Sequence, residues 1–159
     1  MTPRCQARFT CSVLGKCVRR ALRSSAAYVV LDSDPGTTGT TFMQGGCWLA
    51  AEAIRVATGA ELGCLVKDGQ MQHAFGVIGD CALDADGGTP LATYPRTYAR
   101  REGLAEIFRA TSFDAELQRR THELQSPPRP SRSAVMALAD VIDQALLSEE
   151  KSAMRRCSR

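Results

Sequence analysis

The chain has no long apolar run, no internal repeat and no cysteine pair in a C-x-x-C pattern. No stretch of its 159 residues approaches the ~20 consecutive apolar residues that a membrane helix requires. A solenoid would show a repeat period, and a typical structural zinc site would supply its ligands in close pairs. These absences favour a single globular domain, for which an apolar content of 44% is ordinary.

Acidic residues are missing from positions 1–31, which carry six of the bases. Because the chain has 20 bases and 17 acids in all, the remainder carries 14 bases against 17 acids and is mildly acidic. Nucleic-acid binding, which usually requires a basic domain, is therefore not expected. The basic segment superficially matches a transit peptide and has no apolar core for a secretory signal, and we expect a flexible N-terminal extension.

The seven cysteines are an odd number, so at least one thiol remains free if the others pair within the chain. A chain of this length can fold on its own hydrophobic core without a disulfide framework. The simplest expectation is a cytoplasmic protein with reduced thiols; export without a recognisable signal peptide is the alternative.

The rest of the pattern predicts an α+β domain. Residues 32–44 have the composition of a loop, Cys47–Thr58 has that of a helix ending at Gly59 in a left-handed cap, and 62–85 has that of an antiparallel meander. Further helices are predicted over 97–110, 114–124 and 132–151, the last of them after a proline-rich break at 126–130. Apolar residues recur on one side of the last helix, at Val135, Leu138, Ile142 and Leu146.

The segment Gly45-Gly46-Cys47-Trp48 places a cysteine at the start of the first of these helices. Unpaired amides and the positive end of the helix dipole stabilise a thiolate at that position. The glycines permit a sharp turn and close approach of a substrate carbonyl, so the Cys47 amide could form half of an oxyanion hole. Gln44 is the candidate for the second donor, and Trp48 is expected either in the core or as a wall of the substrate groove.

A histidine in Gln72-His73-Ala74-Phe75 and a carboxylate in Leu83-Asp84-Ala85 follow on two predicted strands. This order resembles the papain-like fold cysteine hydrolases, a group that includes small bacterial effector and toxin domains. The short interval from Cys47 to His73 is closer to the NlpC/P60-like and transglutaminase-like members than to papain itself. The resemblance implies a helix packed on a small antiparallel sheet, with Cys47 as nucleophile, His73 as base and Asp84 as the acid that orients the base.

With the boundaries that the composition suggests, we expect the catalytic domain to span 32–125, preceded by the extension 1–31 and followed by a proline-rich linker and a helix over 126–159. Gln44, Gly46 and Trp48 would then lie at the oxyanion and substrate positions, and the reaction would be acyl transfer from an amide or related carbonyl. No cofactor is implied. The expected partner is a peptide, protein or small amide substrate; a partner protein is a further option, and no membrane is expected.

Two other functions remain open from the residues alone. Cys47, Cys64, His73 and Cys81 have ligand types that suit tetrahedral zinc, although their spacing lacks close pairs. Alternatively, the fold could serve as a non-catalytic interaction module. The other histidine, His122, lies in a polar stretch beside a glutamate and is expected to be solvated.

The pairing of His73 with a carboxylate depends on the register of the hairpin that joins their strands. Loops of two or four residues both deliver a carboxylate beside His73. A turn centred between Ile78 and Gly79 would place His73 directly opposite Asp84, and one centred between Gly79 and Asp80 would place it opposite Asp86 with Asp84 diagonal on the same face. A three-residue loop would put His73 and Asp84 on opposite faces. Asp84 is the preferred orienting acid because it continues the strand, whereas Asp86 begins a glycine turn and is the alternative.

Overall fold

A computed structural model describes residues 9–37, 41–105, 108–120 and 129–157, which form six α-helices and five β-strands. The helices are α1 (Cys11–Leu22), α2 (Ser25–Ser33), α3 (Cys47–Thr58), α4 (Tyr94–Arg101), α5 (Phe113–Arg120) and α6 (Arg132–Cys157). The strands are β1 (Glu61–Lys67), β2 (Gln70–Ile78), β3 (Cys81–Asp84), β4 (Gly87–Pro90) and β5 (Arg109–Ser112). A 3₁₀ turn over Leu91–Thr93 leads into α4.

The strands form one open antiparallel sheet in the order β4-β3-β2-β1-β5. Strands β1 to β3 coincide with the meander predicted over 62–85, and their turns contain Asp68, Gly69 and Gly79, which adopt positive φ. Strand β4 begins at Gly87, also at positive φ, where the sequence predicts a glycine turn instead. The α+β class is therefore correct, and the sheet is two strands larger than the predicted meander, because β4 pairs with β3 and β5 pairs with the outer edge of β1.

Helices α1, α2, α3 and α6 pack together against one face of the sheet. Their shared core includes Leu22, Leu31, Leu49, Ile54, Leu83, Leu138 and Ile142, each nearly or fully inaccessible to solvent. Gly76 allows α3 to approach β2 closely, because a Cβ there would lie 2.6 Å from the Ile54 side chain. The four predicted apolar positions of the last helix are all buried in this layer or at its margin.

Helix α4 covers the opposite face of the sheet. Side chains on this face alternate along the strands with those of the first face. They form a second core cluster with α4 and its neighbours, made up of Leu65, Phe75, Ala82, Tyr94, Tyr98, Ala99 and Phe108. The sheet is thus covered on both sides where β2 and β3 pair, and polar side chains on the α4 side are shielded from water.

Residues 11–31, expected to belong to a flexible extension, instead form α1 and α2 and supply part of the core. Six residues of α1 are buried: Leu14, Gly15, Cys17, Val18, Ala21 and Leu22. A Cβ on Gly15 would collide with the backbone of Gly88, so this helix lies directly on β4. The basic composition is misleading here because the Arg and Lys residues occupy the outer face of an amphipathic helix.

The expectation that all thiols are reduced is also wrong, because Cys11 at the start of α1 forms a disulfide with Cys81 at the start of β3. Their Cα atoms are 5.6 Å apart, within the usual range for this bond. The bond links residues 70 positions apart in the chain and fixes α1 to the sheet.

The helix predicted over 97–110 is displaced and shorter. Helix α4 begins at Tyr94, with Pro95 in its first turn, and ends at Arg101, where Gly103 adopts a φ of 66° and Leu104 donates back to the Ala99 carbonyl. The chain then enters β5. Helix α5 lies within the predicted 114–124 segment from Asp114 onward, and 121–124 lie outside the described residues, as does His122.

Helix α6 extends to Cys157, beyond its predicted end, and packs on α1 and α3. Of the proline-rich break, only 129–130 are described. None of the described helices combines the length and apolar character that crossing a bilayer would need.

Candidate active site

Cys47 is the first residue of α3 and is partly exposed. The residue before it, Gly46, is the N-cap and has no side chain to bond the first helical amides. These amides therefore have no intrahelical acceptor and no capping group, an arrangement that stabilises a thiolate or an oxyanion. The predicted helix start thus places Cys47 where its sulfur can be ionised.

A tight turn holds Cys47 in this position. The amide of Gly46 donates to the Thr41 carbonyl at 3.0 Å, and Gly45 adopts a φ of 86° that favours glycine. A Cβ on Gly46 would lie 2.7 Å from the Leu31 side chain and 2.8 Å from the Thr41 carbonyl oxygen. Both glycines are needed for the shape of the turn, and the Leu31 side chain of α2 lies next to it.

His73 lies on β2 with 1% of its surface exposed. The strand is irregular just before it: Leu65 pairs with His73 while Val66 pairs with Met71, so Gln72 is an extra residue in β2. Such a bulge changes the direction of the adjacent side chain and is common beside active sites. The imidazole stacks on the Tyr98 ring, with centroids 4.7 Å apart.

Neither ring nitrogen of His73 has a hydrogen-bond partner within the described structure. Nε2 is 3.8 Å from Asp84 Oδ2, which is ion-pair distance and too long for a hydrogen bond. Because Nε2 faces Asp84, Nδ1 is the nitrogen that remains to interact with the Cys47 sulfur. Hydrogen bonds between catalytic groups are often long without substrate and shorten when it binds.

The hairpin between β2 and β3 has the two-residue register. Ile78 pairs with Cys81 and Gly76 with Leu83, so Gly79 and Asp80 form the loop. Extending this register places Asp84 diagonal to His73 and on the same face of the sheet. The structure thus brings the preferred acid within 3.8 Å of the base by the diagonal route.

Asp84 is held by two hydrogen bonds and has 3% of its surface exposed. The Tyr94 hydroxyl donates to Oδ2 at 2.6 Å, and the Asp86 amide donates to Oδ1 at 2.8 Å. Arg101 Nη1 lies 4.0 Å from Oδ1. Each carboxylate oxygen therefore has a fixed donor, and the side chain cannot rotate freely.

Asp86, the alternative acid, is bound by arginines at the edge of the sheet. Its Oδ1 accepts from Arg23 Nη2 at 2.9 Å, and its Oδ2 lies 3.9 Å from Arg101. Arg23 immediately follows α1. Asp86 thus links the N-terminal helix to the sheet, and its backbone amide, rather than its carboxylate, serves the site.

Cys47, His73 and Asp84 shift one another's pKa values. Burial raises the pKa of Cys47, but His73 and the amides of Ala74 and Trp48 outweigh burial and lower it below the usual 9.0 of a thiol. Burial lowers the pKa of His73, but Asp84 and Cys47 raise it to about 9. Burial also raises the pKa of Asp84, but His73 and Tyr94 outweigh burial and lower the pKa below its usual 3.8. The arrangement favours a thiolate, an imidazolium and a carboxylate.

The predicted substrate-binding residues Gln44 and Trp48 differ in their exposure to solvent. Gln44 is exposed in the turn, where its backbone amide donates to Thr41 Oγ1 at 3.0 Å. Trp48 is mostly buried and packs on Phe113 at 5.2 Å, with the Arg129 guanidinium 6.0 Å from its ring centre. Trp48 is therefore chiefly a core residue, and Gln44 is the more accessible of the two.

Sequence reasoning misses three residues of the site: Tyr94, Tyr98 and Arg101. All three lie on α4, spaced by four and three positions, so they share the face that contacts His73 and Asp84. This spacing is a readable signal, but the predicted helix began at residue 97 and left Tyr94 outside.

The zinc alternative loses one of its ligands, because Cys81 is bonded to Cys11. In the described ranges, no three potential metal ligands lie together. The other described cysteines outside the disulfide are Cys17 in α1 and Cys64 in β1, and both are buried. Burial raises the pKa of Cys17.

Comparison of the chain with protein-family models, with curated proteins and with solved structures finds no match in any of the three. Inference about the site therefore depends on its geometry and chemistry.

Proposed function

We propose that this protein is a cysteine-nucleophile hydrolase or acyltransferase that acts on an amide or a related carbonyl. Cys47 is the nucleophile, His73 the acid and base, and Asp84 the orienting group. The observation that carries the proposal is the position of His73: it is buried between a partly exposed helix-terminal cysteine and a fixed carboxylate, with both ring nitrogens otherwise unbonded in the described structure.

The reaction follows from the charges of these groups. The Cys47 thiolate attacks the substrate carbonyl carbon, and the oxyanion that forms is bound by unpaired amides at the start of α3. The carbon–nitrogen bond breaks as His73 gives its proton to the leaving amine, which leaves a thioester on Cys47. Water or a second amine then attacks the thioester while His73 accepts its proton, and the product acyl group leaves as the thiolate returns.

The finer assignment within this proposal is a papain-like architecture. The supporting features are a nucleophile helix packed on an antiparallel sheet and the chain order of cysteine, histidine and aspartate on α3, β2 and β3. The small size of the sheet and the short interval between Cys47 and His73 favour the compact members of that group. Substrates of this class are peptides, protein side-chain amides or small amides.

The disulfide bears on where the protein works. A bond between Cys11 and Cys81 persists in oxidising surroundings and is reduced in most cytosols. Within the proposal, the protein therefore acts after export rather than in a reducing cytoplasm.

Alkylation of thiols tests the nucleophile directly. Cys5 and Cys157 are changed to serine, and the folded protein is treated with limiting iodoacetamide over a range of pH before peptide mapping. We expect Cys47 to react first and to remain reactive well below the usual thiol pKa, because His73 and the helix amides stabilise its thiolate. Cys17 and Cys64 serve as internal controls because both are buried and neither belongs to the disulfide.

A His73→Gln variant provides the matched control, since it keeps a polar side chain of similar size and removes the imidazolium. Its Cys47 alkylation rate near pH 6 should fall by roughly 10-fold or more. Assays for peptide cleavage, ammonia release and amine incorporation, each run beside Cys47→Ala, then separate the three reaction outcomes. Faster labelling of Cys17 or Cys64 than of Cys47 in folded protein would overturn the proposal.

A further inference from the structure

We propose that Tyr94 is the positioning residue of this site: its hydroxyl holds the Asp84 carboxylate in the orientation that presents Oδ2 to His73. The inference rests on the proposed function and adds the group that makes Asp84 effective. The hydroxyl of Tyr94 donates to Asp84, so its role is to position that carboxylate rather than to act on the reacting atoms.

The geometry assigns this role through a shared oxygen. Tyr94 donates to Asp84 Oδ2 at 2.6 Å, and the same oxygen lies 3.8 Å from His73 Nε2. A carboxylate oxygen has two lone pairs, so it can accept from both groups. The bond from the Asp86 amide to Oδ1 fixes the other end of the carboxylate, and together the two donors set its plane.

The Tyr94 hydroxyl is itself immobile. The side chain is fully buried, and its ring packs on Phe75 at 4.5 Å and on Tyr98 at 6.4 Å. Tyr94 also begins α4, so the helix that places Tyr98 over His73 places this hydroxyl as well. Both supports of the catalytic pair therefore belong to one rigid element.

The hydroxyl remains a donor throughout the range in which the enzyme would work. Burial raises the pKa of Tyr94, and the nearby Asp84 charge raises it further, well above the usual 10.0. A permanent donor stabilises the charged form of Asp84, and Tyr94 is among the causes that lower the pKa of that carboxyl. Removing the donor should raise the pKa of Asp84 and let its carboxylate turn away from His73.

The experiment compares Tyr94→Phe with wild type in the background that lacks Cys5 and Cys157. Phenylalanine keeps the ring that packs on Phe75 and removes only the hydroxyl. The rate of Cys47 alkylation is measured against pH, and Tyr28→Phe is the matched control because Tyr28 lies in α2 beside Phe42. The alkylation rate falls on the acid side of the profile as the Cys47 thiolate becomes protonated, and we call this fall the acid limb. We expect the acid limb to move to a pH about one unit higher in Tyr94→Phe and to stay in place in Tyr28→Phe.

Two further measurements separate positioning from packing. In an Asp84→Asn background, Tyr94→Phe should cause no further shift of the acid limb, because the hydroxyl has lost the charge on which it acts. In wild type, the Tyr94 hydroxyl proton should give a slowly exchanging NMR signal that moves as Asp84 titrates. This second readout does not depend on whether the variant folds.

The outcomes distinguish this inference from the proposed function. If Cys47 is not preferentially alkylated in wild type, the proposed function fails. If Cys47 is reactive but Tyr94→Phe leaves the acid limb unchanged, or if its effect adds fully to that of Asp84→Asn, the positioning role is overturned while the nucleophile stands. A lower melting temperature without a shifted limb likewise assigns Tyr94 a packing role only and overturns the inference.

Discussion

Helices α1 and α3 invite comparison because both have 12 residues and both begin with a cysteine. In α1 that cysteine, Cys11, forms a disulfide with the sheet. In α3 the cysteine, Cys47, remains free beside a buried histidine. The same residue at the same helical position thus serves as a covalent anchor in one case and as the candidate nucleophile in the other.

The caps explain part of this difference. Helix α1 has Thr10 as its N-cap, and the threonine side chain accepts from the Val13 amide. Helix α3 has Gly46, which provides no such acceptor and leaves the first turn open towards Cys47. A capped helix end gains stability from its side chain, whereas an uncapped end keeps amides for a thiolate or a substrate oxygen.

The neighbours explain the rest. Cys11 faces β3 and β4, where Gly88 has no side chain and Cys81 is within bonding distance. Cys47 faces β2, where the bulge at Gln72 precedes His73. A cysteine at a helix start is therefore not diagnostic by itself; the capping residue and the facing strand decide what it does.

Removing α1 should have the largest effect of any change considered. Deletion of residues 1–24 takes away six buried residues, the disulfide and the Arg23–Asp86 ion pair. The loss should exceed about 5 kcal/mol and leave no cooperative thermal transition by circular dichroism. Deletion of residues 1–8, which spares α1, is the control. A truncated protein that still melts cooperatively would restore the view of this segment as a dispensable extension.

Breaking the disulfide should cost less. In Cys11→Ser with Cys81→Ser, the unfolded chain regains the freedom of a loop that spans 70 positions, which corresponds to about 4 kcal/mol. Denaturant unfolding measures the loss, and reduction of wild type by dithiothreitol should reproduce it while leaving the double variant unchanged. Below the transition, the alkylation rate of Cys47 should stay near that of wild type. A large fall in that rate would mean that the anchor also shapes the site.

The carboxylates of β3 and its following turn extend the comparison, because Asp86 serves α1 while Asp84 serves the site at α3. Asp84→Asn removes the charge beside His73 and should lower turnover, once a substrate is identified, by about 10²-fold, or about 2.7 kcal/mol in the barrier. Asp86→Asn keeps the amide that donates to Asp84 and should change turnover much less, with a modest loss of stability. The reverse ranking would transfer the orienting role to Asp86.

Local sequence signals predict most of the candidate site. The glycine pair before Cys47, the left-handed cap at Gly59 and the alternation along the meander depend on near neighbours, and the helix and strands form where these signals place them. The turn signal at Gly79 and Asp80 restricts the hairpin to a few loop lengths. The two-residue loop found in the structure is among those that keep His73 and Asp84 on one face.

What the sequence does not predict depends on contacts between distant segments. Leu14, Val18 and Leu22 have helical spacing, but only packing against β4 and α6 distinguishes their helix from a basic leader. Strand β5 is four residues long and is defined by its pairing with β1. Tyr94 becomes part of the site only because α4 crosses the far face of the sheet.

The smallest expected effect is a change in how stability depends on pH. In the unfolded chain His73 titrates near 6.5 and Cys47 near 9.0, whereas in the folded protein the pKa of His73 is about 9 and that of Cys47 is lowered. Consider the pH range that lies above both 6.5 and the lowered pKa of Cys47 and below about 9. In this range the folded pair holds one proton, on His73, and the unfolded pair also holds one, on Cys47. The two states bind equal numbers of protons, so these residues contribute no slope there.

Cys47→Ala removes this balance and exposes the effect of His73. Asp84 still raises the pKa of His73 in the folded variant, although the contribution of Cys47 is gone. The stabilisation is therefore complete below the unfolded value of 6.5 and is lost as pH rises through a folded pKa that lies below the wild-type value of about 9. The free energy of unfolding of the variant should therefore fall by about 1 kcal/mol per pH unit within that interval relative to wild type. Urea titrations of both proteins at several pH values measure the difference, and Cys64→Ala, which removes a thiol outside the pair, is the control. Parallel curves for wild type and Cys47→Ala would show that Cys47 and His73 do not share a proton, and the contrast between α1 and α3 would then rest on their caps and the disulfide alone.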